Sequence, residues 1–207
     1  MSTTTTDLLS QNPASLDPKK YLHEYPNLRV EEVFSDDDKK CSEIADIAQK
    51  WSDEAYAQVT HEFLQDDIFG NLSVLASDIN VHIKERSKNF KYKIFICQDT
   101  NHKDTQAIAL TTVQKQPSDD LEIAYLVTNP KNVRAEPNTS KTHSVKGAGS
   151  AVIYHLASTL PQHCLRIVLF SKPLAMPFYK KLGFEQEDPL KGVHMCLTKE
   201  KIQKVMN

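Results

Sequence analysis

Two glycines one residue apart, Gly147 and Gly149, open an apolar-periodic run in which Ala148, Ala151, Val152, His155 and Leu156 recur at helical spacing until Pro161. Glycine is scarce in this chain, 5 in 207 residues, yet Gly147, Gly149 and Gly183 all fall here or in the segment 178–184 downstream. A chain so sparing with glycine places it where backbone must come close to something. Two glycines at a helix start expose consecutive N–H groups, those of Lys146, Gly147, Ala148, Gly149 and Ser150, at the positive end of the helix dipole. That arrangement is a cradle for an anion.

Other chemistry can be set aside by spacing. A dinucleotide loop needs a third glycine and an acid at the end of the following strand, but this chain has Gly-Ala-Gly-Ser-Ala-Val and then Phe170-Ser171-Lys172. A phosphate loop of the G-x-x-x-x-G-K-[ST] type needs its lysine after the glycines, and Lys146 precedes Gly147. His61-Glu62 is followed at position 65 by Gln rather than a second His, so the zinc geometry of H-E-x-x-H is missing. Cys41, Cys97, Cys164 and Cys196 are widely spaced without a C-x-x-C pair, which predicts buried reduced thiols rather than disulfides or zinc ligands. A reducing, cytoplasmic location is expected, and no metal. The formal net charge of -2 and the lack of a long Lys/Arg run argue against a nucleic-acid partner. The first residues lack a basic region followed by an apolar core, and no run reaches membrane-spanning length, so no membrane partner is expected.

The elements that position the glycine turn can be read from periodicity. Residues 1–25 read as a flexible leader, 26–198 as one domain, and 199–207 as a short basic helical tail. A strand is predicted over 28–34. Ser35 and Asp38 then start a helix with the core stripe Cys41, Ile44, Ala45, Ala48, Trp51 and Ala55. Asn71 is the expected N-cap of a second helix with Leu72, Leu75, Ala76, Ile79 and Ile83 on one face, preceded by the acidic turn Gln65-Asp66-Asp67. Strand-like segments follow at 90–97, 105–114 and 121–128 with short polar links, an antiparallel meander. The third is apolar on both faces, Leu121, Ile123, Tyr125 and Val127 against Ala124 and Leu126, as a central strand should be, which makes Glu122 unusual. After Pro130 comes a polar loop with Lys131, Arg134, Lys141 and His143, then the glycine turn and its helix. A buried strand at 166–170, a helix through Tyr179 with Pro177 in its first turn, and strand-like residues at 193–198 follow, and the order is read as β, α, α, β, β, β, α, β, α, β, β. The strand at 166 should run parallel to that at 121.

With the strand ending Leu126-Val127-Thr128-Asn129-Pro130, the Lys146-Gly147-Ala148-Gly149 turn and Ala175-Met-Pro-Phe-Tyr-Lys-Lys-Leu-Gly-Phe184, the chain resembles the GNAT family of acetyl-CoA-dependent N-acetyltransferases over residues 28–198. The resemblance implies an α/β fold with a central, mostly antiparallel mixed sheet flanked by helices. It departs from the family at Ser144, where a Gln or Arg is usual, at Lys172, where many members carry Asn, and in the longer loop 131–144.

The same resemblance implies the chemistry. Val145, Lys146, Gly147, Ala148, Gly149 and Ser150 would hold the pyrophosphate of acetyl-CoA, the cosubstrate, with Lys172 near a phosphate or the pantetheine. Backbone groups of Leu126, Val127 and Thr128 would bind the pantetheine arm and supply the oxyanion donor. Tyr179 matches the family's general acid, and a phenol near 10 lies within about two units of a thiol near 8.5. Glu122 is a candidate base, directly or through water. The acceptor is a primary amine, on a small molecule or a protein, and Asp66, Asp67, Asp119 and Asp120 favour a cationic one. A homodimer is left open. Two other readings stand beside this one: a GNAT-fold module that binds acyl-CoA or a protein without catalysis, and a nucleotide-binding α/β domain.

Overall fold

A computed structural model describes residues 25–59, 67–86, 91–113, 120–133, 145–187 and 193–206. Seven strands, β1 (Leu28–Val33), β2 (Lys93–Asp99), β3 (Thr105–Val113), β4 (Leu121–Thr128), β5 (Arg166–Phe170), β6 (Glu185–Gln186) and β7 (His194–Thr198), form one sheet in the order β1-β2-β3-β4-β5-β7-β6. The helices among the described residues are α1 (Asp38–Tyr56), α2 (Ile68–Lys84), α3 (Ala148–Ser158), α4 (Met176–Lys181) and α5 (Lys199–Met206). Element order follows the expectation from sequence. Every strand pair is antiparallel except β4 with β5, which run parallel as the β4–α3–β5 unit requires.

Two cores sandwich the sheet because β2 and β3 are apolar on both faces. Ile94, Ile96, Ile108 and Leu110 point to the α1/α2 side, where they meet the buried stripe Cys41, Ile44, Ala45, Ala48 and Trp51. Phe95, Cys97, Ala107 and Ala109 point to the α3 side, against Ala151, Val152 and Leu156. All four cysteines are free, three of them buried and Cys196 half-buried. No helix among the described residues is long and apolar enough to cross a membrane.

Three expectations are corrected. The N-cap of α2 is Asp67, not Asn71: its carboxylate accepts from the Phe69 and Gly70 amides at 2.7 and 3.3 Å, and the Asn71 amide makes the first intrahelical bond, to the Asp67 carbonyl at 3.0 Å. Starting the helix one turn early buries Phe69 completely, which decides between two cap-competent residues. Asp67 is thereby committed to the helix, and Asp120, 2% exposed, is committed to Arg166, whose Nε donates to it at 2.9 Å. Neither is placed to attract a cationic acceptor. Asp66 and Asp119, like Arg134, Lys141, His143 and Ser144, lie outside the described residues.

The third correction concerns β4. Leu110 pairs with Tyr125 but Thr111 pairs with Ile123, so Ala124 is an extra residue, a β-bulge. The bulge reverses the alternation: Leu121 and Ile123 face the α3 core, whereas Tyr125 and Val127 face the α1/α2 core. The four do not share one face.

Candidate active site

The bulge coincides with a parting of strands. β4 and β5 pair over three positions, from Leu121 with Ile167 to Ile123 with Leu169, and β4 then runs on to Thr128 beyond that register. The gap opens into a cleft of about 550 Å³. Its walls come from the end of β4, the glycine turn and first turn of α3, the start of α2, and α4 with the residues leading into it.

On the α3 side the cleft is lined by Val145, Lys146, Gly147, Ala148, Gly149 and Ser150. Gly147 is the N-cap of α3 at φ 87°, a left-handed conformation that lets the chain turn straight into the helix. The first intrahelical bond runs from the Ala151 amide to the Gly147 carbonyl at 2.8 Å, so the amides of residues 148–150 precede any helical acceptor and open on the cleft. Asn132 fastens the approach to this turn. Its Oδ1 accepts from the Val145 amide at 2.8 Å while its Nδ2 donates to Gln106 Oε1 at 3.0 Å. The sequence offered no signal for Asn132, since its partners lie 13 and 26 residues away. Tyr25, at the end of the expected leader, packs over the turn: a Cβ on Gly147 would sit 2.9 Å from its ring.

Leu126 and Thr128 of β4 also line the cleft, but Val127 turns its side chain into the α1/α2 core and is 1% exposed. Only its main chain is available to a ligand. Glu122 precedes the bulge, pairs with Thr112 and Val168, and is not part of the lining, which begins on this strand at Ile123. A base role for Glu122 must therefore run through an intervening group.

Tyr179 reaches the cleft from α4. Pro177 lies in the first turn of that helix, where no intrahelical N–H is lost. The helix ends in a Schellman motif: Gly183 at φ 88° donates to the Lys180 carbonyl, and the Phe184 amide donates to the Tyr179 carbonyl at 3.1 Å. That bond explains the Leu-Gly-Phe sequence and fixes the backbone of Tyr179. Its ring is held edge-on between Phe178 and Phe184, at 5.0 and 5.6 Å, and is 8% exposed. Burial pushes its phenol up to about 12, so the group stays protonated at any physiological pH. Lys172 is exposed at the rim, ahead of the turn Pro173–Ala175.

The remaining wall, from α2, was missed in the sequence as part of a site. Ile68, Asn71, Leu72 and Leu75 face the gap from the other side of the sheet, together with Tyr125. The cleft therefore passes through the plane of the sheet, with main-chain donors on the α3 side and a largely apolar wall on the α2 side. Among the described residues no group of His, Cys, Asp and Glu is placed to hold a metal.

No protein-family model and no curated protein sequence matches this chain. Solved structures do. AtaTR bound with acetyl-CoA superposes with a TM-score of 0.55 at 12% identity, covering 86% of this chain and 98% of that one. A protein from Exiguobacterium sp. 255-15 ascribed an acetyltransferase role gives 0.51 at 17% identity, covering 86% and 97%. One from Desulfovibrio desulfuricans ascribed to the GNAT family gives 0.51 at 11%, covering 83% and 98%. The chain thus has the fold of the GNAT acetyltransferases, the fold its motifs resemble.

Proposed function

We propose that this chain is an acyltransferase of the GNAT type that binds acetyl-CoA in the β4–β5 cleft and transfers the acetyl group directly to a primary amine. The observation that carries the reading is the convergence on one gap of the α3 amides, the β4 edge beyond Ile123 and the Tyr179 phenol. The groups present fit the cosubstrate. The amides of residues 148–150 suit a pyrophosphate, with the exposed Lys146 and Lys172 adding charge at the rim. The β4 main chain from Leu126 to Thr128 can bond the amides of a pantetheine arm as an added strand would, and one of its N–H groups can meet the oxyanion.

Attack by the amine nitrogen on the thioester carbonyl forms the C–N bond and breaks C–S; Tyr179 donates its proton to the departing sulfur and regains one as the attacking nitrogen, now an amide nitrogen, sheds its surplus N–H proton. A phenol at about 12 stands further from a thiol near 8.5 than an ordinary tyrosine does. The transfer is therefore to a thiolate forming in the same dry cleft, where desolvation raises the sulfur too. That same burial is the observation favouring the rival reading, an acyl-CoA-binding module without turnover, in which Tyr179 only packs and hydrogen-bonds.

Calorimetric titration with acetyl-CoA, with NAD and ATP as controls, tests the coenzyme site: saturable binding of acetyl-CoA alone is expected, and binding of NAD or ATP in preference would overturn it. Release of thiol on adding primary amines then separates enzyme from module.

A further inference from the structure

A second set of groups meets the cleft from the α1/α2 face of the sheet. The bulge at Ala124 turns Tyr125 toward α2, where its hydroxyl oxygen lies 2.9 Å from His82 Nε2. The contact is held by an aromatic cluster: the His82 and Tyr125 ring centroids are 5.1 Å apart, and Tyr92 stands edge-on to both, at 5.2 and 6.3 Å. Tyr125 lines the cleft, and half-buried His82 extends the pair away from it, along α2. Burial, with the nearby Asp78, Tyr92 and Glu122, pushes the Tyr125 phenol up. A phenol so placed stays protonated near neutral pH. It can release a proton only as it receives one.

Acetyl transfer leaves one proton unaccounted for on this side. A primary amine is an ammonium ion near neutral pH, since an alkyl ammonium of the lysine type titrates near 10.4, and it must shed a proton before its lone pair can attack. Tyr179, buried and protonated, serves the sulfur and cannot also take that proton. Glu122 does not line the cleft.

We propose that Tyr125 and His82 are the proton exit for the acceptor, a step that rests on the acetyl-transfer reading above. The ammonium passes a proton to the Tyr125 hydroxyl oxygen, directly or across one water, while Tyr125 passes its own proton to the bare Nε2 of His82. The amine keeps the electron pair of the broken N–H bond for attack, Tyr125 ends as it began, and His82 becomes imidazolium. Around the pair, Asp78 on α2 and Glu122 on β4 bring negative charge toward the Tyr125 hydroxyl, and Lys91 Nζ lies 5.1 Å from the Tyr92 ring centroid. Glu122 thus acts on the base by its field, through Tyr125, without touching the acceptor.

The test compares wild type with His82→Gln, Tyr125→Phe and the double variant, using 2-phenylethylamine, spermidine and an unblocked tripeptide as probe amines. Gln preserves a hydrogen bond to Tyr125 but accepts no proton. Each single change should lower kcat about 100-fold, leave acetyl-CoA affinity by calorimetry unchanged, and abolish the rise of kcat with pH on the acid side. The double variant should be no worse than either, because the two act as one unit. A His82→Gln enzyme with wild-type kcat and pH profile overturns the relay. If a variant misfolds, the proton inventory of Tyr179→Phe in mixed H2O and D2O, in which the proton given to sulfur by Tyr179 is removed, decides: curvature from two protons in flight supports the relay, and a single-proton line overturns it. Wild type that binds acetyl-CoA but acetylates none of the probes overturns the relay and leaves the coenzyme site standing. Failure to bind acetyl-CoA overturns both.

Discussion

On the α3 side of the cleft the groups proposed to hold the coenzyme are mainly main chain: the amides of residues 148–150 and the β4 edge past Ile123. On the α2 side they are side chains, Asn71 and Tyr125 at the surface of the gap and His82 behind Tyr125. The two walls differ in what they demand of sequence. Main-chain donors need only a backbone path, and a left-handed glycine at the head of a helix specifies it locally. Side-chain donors need partners, here 43 residues apart in the case of His82 and Tyr125. One wall can therefore tolerate a departure such as Lys172, whereas the other depends on particular residues.

The largest test of this contrast is Gly147→Val. At φ 87° a β-branched residue is strained, and its Cβ would lie 2.9 Å from the Tyr25 ring, so the turn or the ring must move. Acetyl-CoA affinity by calorimetry should fall about 100-fold, or about 2.7 kcal/mol. Lys146→Ala, which leaves the backbone alone, should cost only a few-fold. Equal losses in the two would mean that side-chain charge, not the amide path, holds the anion. Next comes Tyr179→Phe, which keeps the packing between Phe178 and Phe184 and removes only the hydroxyl. kcat for amine acetylation should drop about 100-fold with acetyl-CoA affinity retained. The raised phenol also has a pH consequence. Its neutral form is the donor, so no alkaline fall in kcat from Tyr179 is expected until well above the usual tyrosine range, toward about 12. An alkaline limb in kcat near pH 9 that vanishes in Tyr179→Phe would place the phenol in a wetter site than this one.

What the sequence revealed follows the same division. The element order, the parallel β4–β5 pair, the α1 stripe and the place of Pro177 in the first turn of α4 were all legible, because each is a matter of period or of neighbouring residues. The bulge at Ala124 was not: nothing in Glu-Ile-Ala-Tyr-Leu departs from a smooth strand, and only the pairing with Leu110 and Thr111 shows the extra residue. Missing the bulge put Tyr125 on the wrong face and hid its link to His82. Asp120 likewise read as an acid favouring a cationic acceptor because its partner, Arg166, is 46 residues on. Periodicity reports which residues share a face of one element. It says nothing of what the opposite element presents to them.

The smallest effect, and the sharpest for the α2 wall, concerns Asp67. Its place in an acidic turn suggested attraction of a cationic acceptor, whereas its carboxylate accepts from the Phe69 and Gly70 amides and the residue is 4% exposed. Asp67→Ala should therefore cost about 1 kcal/mol of stability, lowering Tm by about 2–4 °C in a chain of this size. Asp67→Asn, which keeps a capping oxygen but no charge, should restore most of it. The KM for a cationic amine such as spermidine, measured where every variant is folded, should be the same in all three proteins. A KM that rises in Asp67→Asn while Tm does not fall would return the carboxylate to the acceptor site, because removing charge without removing the cap would then have weakened binding alone. The matched result would leave the α2 wall selecting its amine through the shape of Ile68, Leu72 and Leu75 and through the Tyr125 hydroxyl rather than through an acidic rim.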